Sequence, residues 1–242
     1  CLFTLQCEQG WLKDILFPEE EELTPLEVVV SGCTDDTACN YNSEATEDDG
    51  TCLTIQDCFN TLQFSSHFNN SSDINDFLLN QNQYSSLSIS DGKLSIVGEN
   101  DGTQHRIEYI HNAINEFKLI VNMALINQDG DDKPFYGILI KNEQIMYLFE
   151  ILVSPNQYYT AGLVSYSPED SEFTTIDYKP ISNNPYNYLE FTMLYTGNIL
   201  YCYIDNSEIF QVSINDLIID IWGIYTQSSH TYSIDSFYLY KK

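Results

Sequence analysis

The stretch NEQIMYLFEILVSPNQYYTAGLVS, residues 142–165, decides the fold. Residues Gln144 to Val153 are apolar and β-branched, with polar side chains only at Gln144 and Glu150, and they predict a strand. Ser154-Pro155-Asn156-Gln157 favours a tight turn, because Pro sets φ and Asn tolerates the next bend. Tyr158 to Ser165 then predicts the returning strand. A strand this apolar is covered on both faces, so the hairpin belongs in the middle of a β-sandwich.

Further strands are predicted on both sides of this hairpin. Asp91-Gly92 lies between SSLSIS and KLSIV, and such a dipeptide is a strong hairpin signal. Apolar residues alternate at Phe117, Leu119, Val121, Met123 and Leu125, which predicts a strand with one core-facing side. The remaining strands are predicted at Leu62–Phe68, Arg106–Ile110, Phe135–Lys141, Tyr188–Tyr195, Ile199–Asp205, Glu208–Val212, Ile219–Thr226 and Tyr232–Tyr240. Many short strands with short turns predict a sandwich or barrel.

Composition excludes some partners. The 242 residues carry a formal net charge of -27, so phosphate repulsion argues against nucleic acid and against an anionic membrane surface. No apolar run reaches the ~18 residues of a transmembrane helix.

The first 31 residues predict an anchor segment and an acidic spacer. The chain begins at Cys1, which looks like the start of a mature bacterial lipoprotein. That resemblance implies an acylated Cys1 in the bilayer and an outer-membrane protein facing the cell exterior. The alternatives are a boundary that happens to fall on Cys, or lipidation at Cys7. Leu2 to Phe17 shows the spacing of a short helix, and Leu26 to Val30 predicts an edge strand.

Residues 32–58, GCTDDTACNYNSEATEDDGTCLTIQDC, form a module of their own. The segment is poor in apolar residues and holds four of the seven cysteines, so cross-links must hold it together. The string resembles the GCTDPxAxNYxPxATxDDGSC repeat common in extracellular proteins of Bacteroidetes-type bacteria. Two positions depart from that pattern, because Asp36 and Ser43 stand where Pro is usual. The resemblance implies a Cys33–Cys52 bridge, which leaves Cys39 for Cys58.

Two kinds of modification or ligand are candidates in the acidic loops. Carboxylates within a short stapled loop are hard oxygen ligands that suit Ca²⁺. The candidate calcium ligands are Asp35, Asp36, Asp48 and Asp49 in the module, and Asp129, Asp131 and Asp132 in a later loop. Solvated turn residues are the alternative at both places.

Asp36-Thr37-Ala38 resembles a bacterial O-glycosylation sequon, with a turn-capping Thr37 as the alternative.

Residues 59–242 resemble the concanavalin-like, laminin-G-like jelly roll. The residues that carry this resemblance are ISDGKLSI, FEILVSPNQYYTAGL, NILYCYIDNSEIF and WGIYTQSSHTYSIDSFYLY. The predicted fold class is therefore all-β, a concanavalin-like jelly-roll β-sandwich with a small disulfide-stapled N-terminal module.

Catalysis is the weaker hypothesis. Retaining enzymes on this fold carry a Glu-x-Asp-x-x-Glu strand, and no such string occurs here. Glu150 is followed by Ile151, Leu152 and Val153, without a second carboxylate. His67, His105, His111 and His230 show no metal spacing and are interpreted as surface or rim residues.

Binding fits the resemblance better, because such jelly rolls bind sugars on aromatic platforms. The candidate platforms are Tyr158, Tyr159, Tyr166, Tyr178 and Tyr186, which strand propensity also explains. Cys202 alternates with Leu200 and Ile204 and is expected in the core, with a Cys7–Cys202 bridge as an alternative.

We expect a non-catalytic outer-membrane lipoprotein that binds carbohydrate or acts in adhesion. The alternative is an accessory subunit of an outer-membrane barrel complex, and a glycoside hydrolase ranks last.

Overall fold

The structure is a computed structural model, and it describes residues 28–79, 84–98, 104–128, 133–154, 158–169, 171–227 and 230–242. Its contacts divide the chain into two compact units, one ending at Cys52 and the other running from Leu53 to Lys242. The predictions for Cys1, Cys7, the Leu2–Phe17 helix and the Asp129, Asp131 and Asp132 loop lie outside the described residues.

Short strands account for most of the described chain. They are β1 (Ser31–Gly32), β2 (Glu47–Asp48), β3 (Thr61–Ser66), β4 (Leu78–Leu79), β5 (Tyr84–Ser90), β6 (Lys93–Gly98), β7 (Gln104–Ile114), β8 (Phe117–Gln128), β9 (Phe135–Lys141), β10 (Met146–Val153), β11 (Tyr159–Ser167), β12 (Glu172–Ile181), β13 (Leu189–Thr196), β14 (Ile199–Ile204), β15 (Ser207–Ser213), β16 (Ile219–Gln227) and β17 (His230–Lys241). Two 3-10 helices, Ile55–Cys58 and Ser71–Asp76, interrupt them. Among the described residues, no helix has the length and apolarity needed to cross a bilayer.

The larger unit is a sandwich of two antiparallel sheets, as predicted. Sheet A has the strand order β12-β11-β10-β9-β16-β7-β4. Sheet B has the order β15-β14-β13-β8-β17-β6-β5, with β3 paired to β17 as well. The core lies between the sheets, where Phe191 of β13 meets Tyr136 of β9 and Phe149 of β10 at ring distances of 5.7 and 5.6 Å.

The two strands of the central hairpin are present as predicted, whereas residues 155–157 of its predicted turn lie outside the described residues. Strands β10 and β11 pair from Met146–Tyr166 to Val153–Tyr159, and β10 also pairs with β9 on its other side. The inward residues of β10 join the main core, whereas Met146 and Leu148 belong to a second apolar cluster on the outer face. The expectation that this strand is covered on both faces is therefore confirmed.

Two other sequence signals are confirmed. Asp91 and Gly92 both have positive φ, 53° and 70°, and they join β5 to β6 as a tight hairpin. The five alternating apolar residues of β8, from Phe117 to Leu125, are fully buried.

Several predictions need correction. The sequence does not predict strand β12, because it is an edge strand whose residues are mostly exposed and show no apolar alternation. Val28 to Val30 lie outside any strand, and the pairing begins only at Ser31. His105 and His230 are fully buried rather than at the surface, because β7 and β17 begin earlier than predicted and turn these side chains inward.

Cys202 lies in the core of the larger unit, as predicted. Its side chain is buried and is a free thiol, so the Cys7–Cys202 alternative is wrong. Burial raises the pKa of this thiol far above its ordinary value.

Candidate functional site

The outer face of sheet A carries a row of side chains centred on Glu150. Glu150 is opposite Gly162 of β11 and Gly137 of β9. Beyond these glycines come Tyr178 of β12 and Tyr225 of β16, and Arg106 of β7 lies opposite Tyr225. Residues in register across a sheet project on the same face. We call this set the Glu150 row; it comprises Tyr178, Gly162, Glu150, Gly137, Tyr225 and Arg106.

Glu150 is an unusual carboxyl for a sheet surface. Its exposed fraction is 7%, and this burial raises its pKa from 4.5 to about 7. The Tyr178 hydroxyl donates a hydrogen bond to the carboxylate, which opposes that rise in pKa. Burial raises the pKa of Tyr178 and Tyr225, and the Glu150 charge adds to both effects. A carboxyl that titrates near neutrality on a sheet face is a feature of functional sites.

Glycine makes this arrangement possible. A Cβ on Gly162 would lie 2.2 Å from Cε1 of Tyr178, so the phenol ring rests where a side chain would otherwise stand. A Cβ on Gly137 would lie 2.0 Å from the carbonyl oxygen of Phe149. Backbone is therefore bare on both sides of Glu150, and the Tyr178 ring covers one of these sides.

A pocket of about 350 Å³ opens beside the Glu150 row on the same face. We call it the Met146 pocket; it is lined in part by Arg106, Lys141, Met146, Tyr166, Asp220 and Ile221. The Tyr166 ring contacts the Phe173 ring at an angle of 40°, with ring centres 4.7 Å apart, and the two form an aromatic wall. One carboxylate oxygen of Asp220, Oδ1, is buried and has no hydrogen-bond partner in the described part of the chain.

The two cationic side chains of the Met146 pocket lie within ion-pair distance of one carboxylate, that of Glu108. Lys141 Nζ lies 2.7 Å from Glu108 Oε1, and Arg106 Nε lies 3.9 Å from the same oxygen. Arg106 Nη1 also lies 3.9 Å from the Met146 sulfur. Arg106 is the only arginine of the chain. The pocket therefore combines donors, acceptors and aromatic surface without a large excess of either charge.

The five predicted tyrosine platforms do not form one surface. Tyr166 and Tyr178 lie on the outer face of sheet A, at the Met146 pocket and the Glu150 row. Tyr158 is 73% exposed just before β11, and Tyr186 is exposed between β12 and β13. Tyr159 packs against the main core. The structure thus places two of the five on the same face, at register positions four residues apart along β11.

A second cavity, of about 370 Å³, lies at the β13–β14 turn and is lined by residues that include Tyr195, Asn198 and Leu217. Here the Tyr195 hydroxyl donates to the Ile214 carbonyl at 2.8 Å and accepts from the Leu217 N–H at 3.0 Å. These polar groups hydrogen-bond to one another, which indicates that they have a structural role.

The cysteine-rich module is held by disulfide bonds. The predicted Cys33–Cys52 bridge is present. Cys39 and Cys58 are also disulfide-bonded, and their pairing with each other stays a prediction.

The acidic residues of the module support its turns. The Asp35 carboxylate accepts from the Thr37 N–H and hydroxyl, and the Asp49 carboxylate accepts from the Thr51 N–H and hydroxyl. These bonds lower the pKa of Asp35 and Asp49. Among the described residues, no group of three or more His, Cys, Asp or Glu side chains could hold a metal ion. Calcium binding by Asp35, Asp36, Asp48 and Asp49 therefore has no structural support.

Sequence reasoning misses the central elements of this face. By sequence Glu150 stands out only as part of an incomplete catalytic strand, and nothing singles out Gly137, Gly162 or Tyr225. The one signal is an acid in an otherwise apolar central strand. Its glycine and tyrosine neighbours depend on cross-strand register, which one sequence does not reveal.

The sequence matches no protein-family model and no curated protein. Solved structures do resemble it. The CBM2 module of Lactobacillus casei BL23 phage J-1 evolved Dit is 10% identical with a TM-score of 0.60, over 74% of this chain and 95% of that one. A Bacillus subtilis protein of unknown function with a galectin-like fold is 8% identical with a TM-score of 0.59, over 76% and 97%.

LamA from Zobellia galactanivorans, solved in complex with laminaritriose and laminaritetraose, is 13% identical with a TM-score of 0.56, over 76% of this chain and 100% of that one. At such low identity the likeness shows the fold alone. The larger unit is therefore a galectin-like, concanavalin-like jelly roll.

Proposed function

We propose that this protein binds carbohydrate on the outer face of sheet A. The observation that carries the proposal is the combination on one face of aromatic surface with open hydrogen-bonding groups. Tyr166 and Phe173 offer two rings in contact, and the Met146 pocket offers the polar side chains of Arg106, Lys141 and Asp220. Sugars present apolar ring faces and many hydroxyls, so they need aromatic surface and polar groups together. Several structures of similar fold bear names that refer to carbohydrate binding or carry bound oligosaccharides, which agrees with this proposal.

The proposed activity is binding without hydrolysis. Glycoside hydrolysis uses two carboxyls about 5 to 9 Å apart. The cross-strand neighbours of Glu150 are Gly137 and Gly162, and its neighbours along the same face of β10 are Leu148 and Leu152. None of these four positions holds a carboxyl.

We propose an oxidising, extracytoplasmic location for the chain. Cys33 and Cys52 are bridged, and Cys39 and Cys58 are each in a disulfide. Disulfides persist in exported proteins, whereas cytosolic thiols stay reduced.

A glycan array with the full chain tests the carbohydrate proposal. We expect Tyr166→Ala to weaken binding at least about 5-fold, since packing of a sugar on an aromatic ring contributes on the order of 1 kcal/mol or more. Tyr201→Ala is the matched control, because Tyr201 is half-buried and stacks on Tyr203 at 6.3 Å on the outer face of sheet B. A correctly folded wild-type chain that binds no glycan would refute the proposal.

A further inference from the structure

The Glu150 carboxyl is a hydrogen-bonding group that the closed structure hides. It lies in the third strand from the edge of sheet A, and its carboxylate accepts from the Tyr178 hydroxyl. A sheet face that needed only packing at this position would carry an apolar residue, as its neighbours Leu148 and Leu152 show. Burial of this acid costs free energy that an apolar residue would not cost, and a partner that hydrogen-bonds to the carboxyl would offset part of that cost.

The cover over Glu150 is a single aromatic ring. The Tyr178 ring rests on Gly162, where the backbone is bare. If the ring swings away, it uncovers the Gly162 backbone beside the Glu150 carboxylate. The face of a pyranose ring is similar in area to that of a phenol ring, so one sugar residue would fit over this backbone with its outer side open to solvent.

Strand β12, which carries Tyr178, is an edge strand held by its ladder with β11 and by Lys179, whose Nζ donates to the Ile209 carbonyl of β15 at 2.7 Å. Strand β12 pairs only with β11 in sheet A, and all but two of its ten residues are exposed. Tyr178 itself is 41% exposed. A rotation of this side chain therefore leaves the core packing intact.

The charges around Glu150 favour a neutral ligand over an anionic one. The chain carries a net charge of -27, and Arg106 and Lys141 are both within ion-pair distance of Glu108. An anionic sugar would meet repulsion from Glu150 without a strong compensating cation. Neutral hydroxyls can instead donate hydrogen bonds to the carboxylate.

We propose that Tyr178 and Glu150 form a gated subsite for a neutral saccharide, in which the Tyr178 ring gives way and the Glu150 carboxylate accepts hydrogen bonds from sugar hydroxyls. This inference rests on the proposed carbohydrate-binding function and gives it a position and a ligand class.

The affinity of this subsite for its ligand should depend on pH. Because the pKa of Glu150 is raised to about 7, most of the protein holds this group neutral at pH 5.5 and ionised at pH 8. A ligand that needs the carboxylate then binds about 30-fold more weakly at pH 5.5 than at pH 8. The titratable and charged groups that face Glu150 from the surrounding strands are Tyr166, Tyr178, Tyr225, Arg106, Lys141 and Glu108.

The test is an array of neutral oligosaccharides, including laminaritetraose, beside uronate and sulfated counterparts, probed with the full chain at pH 5.5 and pH 8. We expect wild type to prefer neutral members and to show the pH effect.

Glu150→Gln is expected to weaken binding at pH 8 at least about 10-fold and to abolish the pH effect, because the charged acceptor is gone. Tyr178→Phe is expected to tighten binding about 3- to 10-fold at pH 8, because it removes the hydrogen bond that holds the gate closed. Tyr201→Phe, which removes a hydroxyl from sheet B, serves as the control.

The outcomes separate the two proposals. If wild type binds and Tyr166→Ala abolishes binding, while Glu150→Gln and Tyr178→Phe behave as wild type, the gated subsite is wrong and carbohydrate binding stands. Weaker binding by Tyr178→Phe would show that Tyr178 holds the sugar rather than covers the site, and preference for anionic members would overturn the ligand class. A folded wild type that binds no glycan overturns both proposals.

Discussion

The stability of the protein should respond to pH through Glu150, and Glu150→Gln tests this. Burial raises the pKa of Glu150 from 4.5 to about 7, so the folded state holds its proton more tightly than the unfolded state does. The resulting stabilisation is complete below pH 4.5 and is lost as pH rises through 7. At about 1.4 kcal/mol for each pH unit, ionised Glu150 lowers the free energy of unfolding by about 3 kcal/mol.

The assay is urea denaturation of wild type and Glu150→Gln at pH 4.5 and pH 8.5, with disulfides intact. We expect the two proteins to be similar at pH 4.5 and the Gln variant to be more stable by about 3 kcal/mol at pH 8.5, because the amide has no charge to bury. In a thermal melt this difference corresponds to roughly 6 to 12 °C. Glu172→Gln, at an exposed position on β12, should follow wild type at both pH values. A difference between wild type and Glu150→Gln that changes by less than about 0.5 kcal/mol across this range would show that the carboxyl is solvated, and the burial argument would fail.

Four further predictions concern Gly162, the cysteines and Thr37. Gly162→Ala places a methyl group 2.2 Å from the Tyr178 ring, so the ring must turn outward; because Tyr178 is on an exposed strand, urea denaturation should show a loss below about 1 kcal/mol, and a loss above about 2 kcal/mol would mean that the ring cannot move aside. Non-reducing peptide mapping should find Cys39 joined to Cys58, and the buried Cys202 thiol should react with iodoacetamide only in denaturant; free Cys39 or rapid labelling of native Cys202 would contradict these expectations. Glycopeptide mass spectrometry on protein from its native host should find a glycan on the exposed Thr37, whose hydroxyl donates to Asp35 at 2.7 Å, and a bare Thr37 there would remove the hypothesis.

The sequence predicts those strands whose side chains differ between the two faces. Strand β8 is predictable because its core residues alternate, and the β5–β6 hairpin because Asp91-Gly92 suits positive φ at both positions. Strand β12 offers neither signal, because an edge strand on an open face needs few buried residues. Its only apolar contribution to the core comes from partly buried residues such as Ile176 and Ile181.

Some residues of the candidate site can be predicted from the sequence, but their arrangement across the strands cannot. Tyr166 and Tyr178 can be identified as aromatic platforms, but nothing in the sequence distinguishes them from Tyr158 or Tyr159. Their position depends on the pairing of β10, β11 and β12, which includes a register shift between Leu163 and Val164. A single-residue shift moves a side chain to the other face of a sheet, so a site built across strands is not visible in one sequence.

The position of β12 at the edge of sheet A has a consequence for the local dynamics of the sandwich. Amide hydrogen exchange in such a strand proceeds through small openings whose free energy lies well below that of global unfolding. The amides of β10, buried on both faces, exchange only when the whole domain opens. The gate residue and the acid it covers thus belong to segments with very different opening rates. A saccharide held between Tyr178 and Glu150 would slow exchange selectively in β12 and leave β10 unchanged, and this pattern would mark the site whichever sugar is bound.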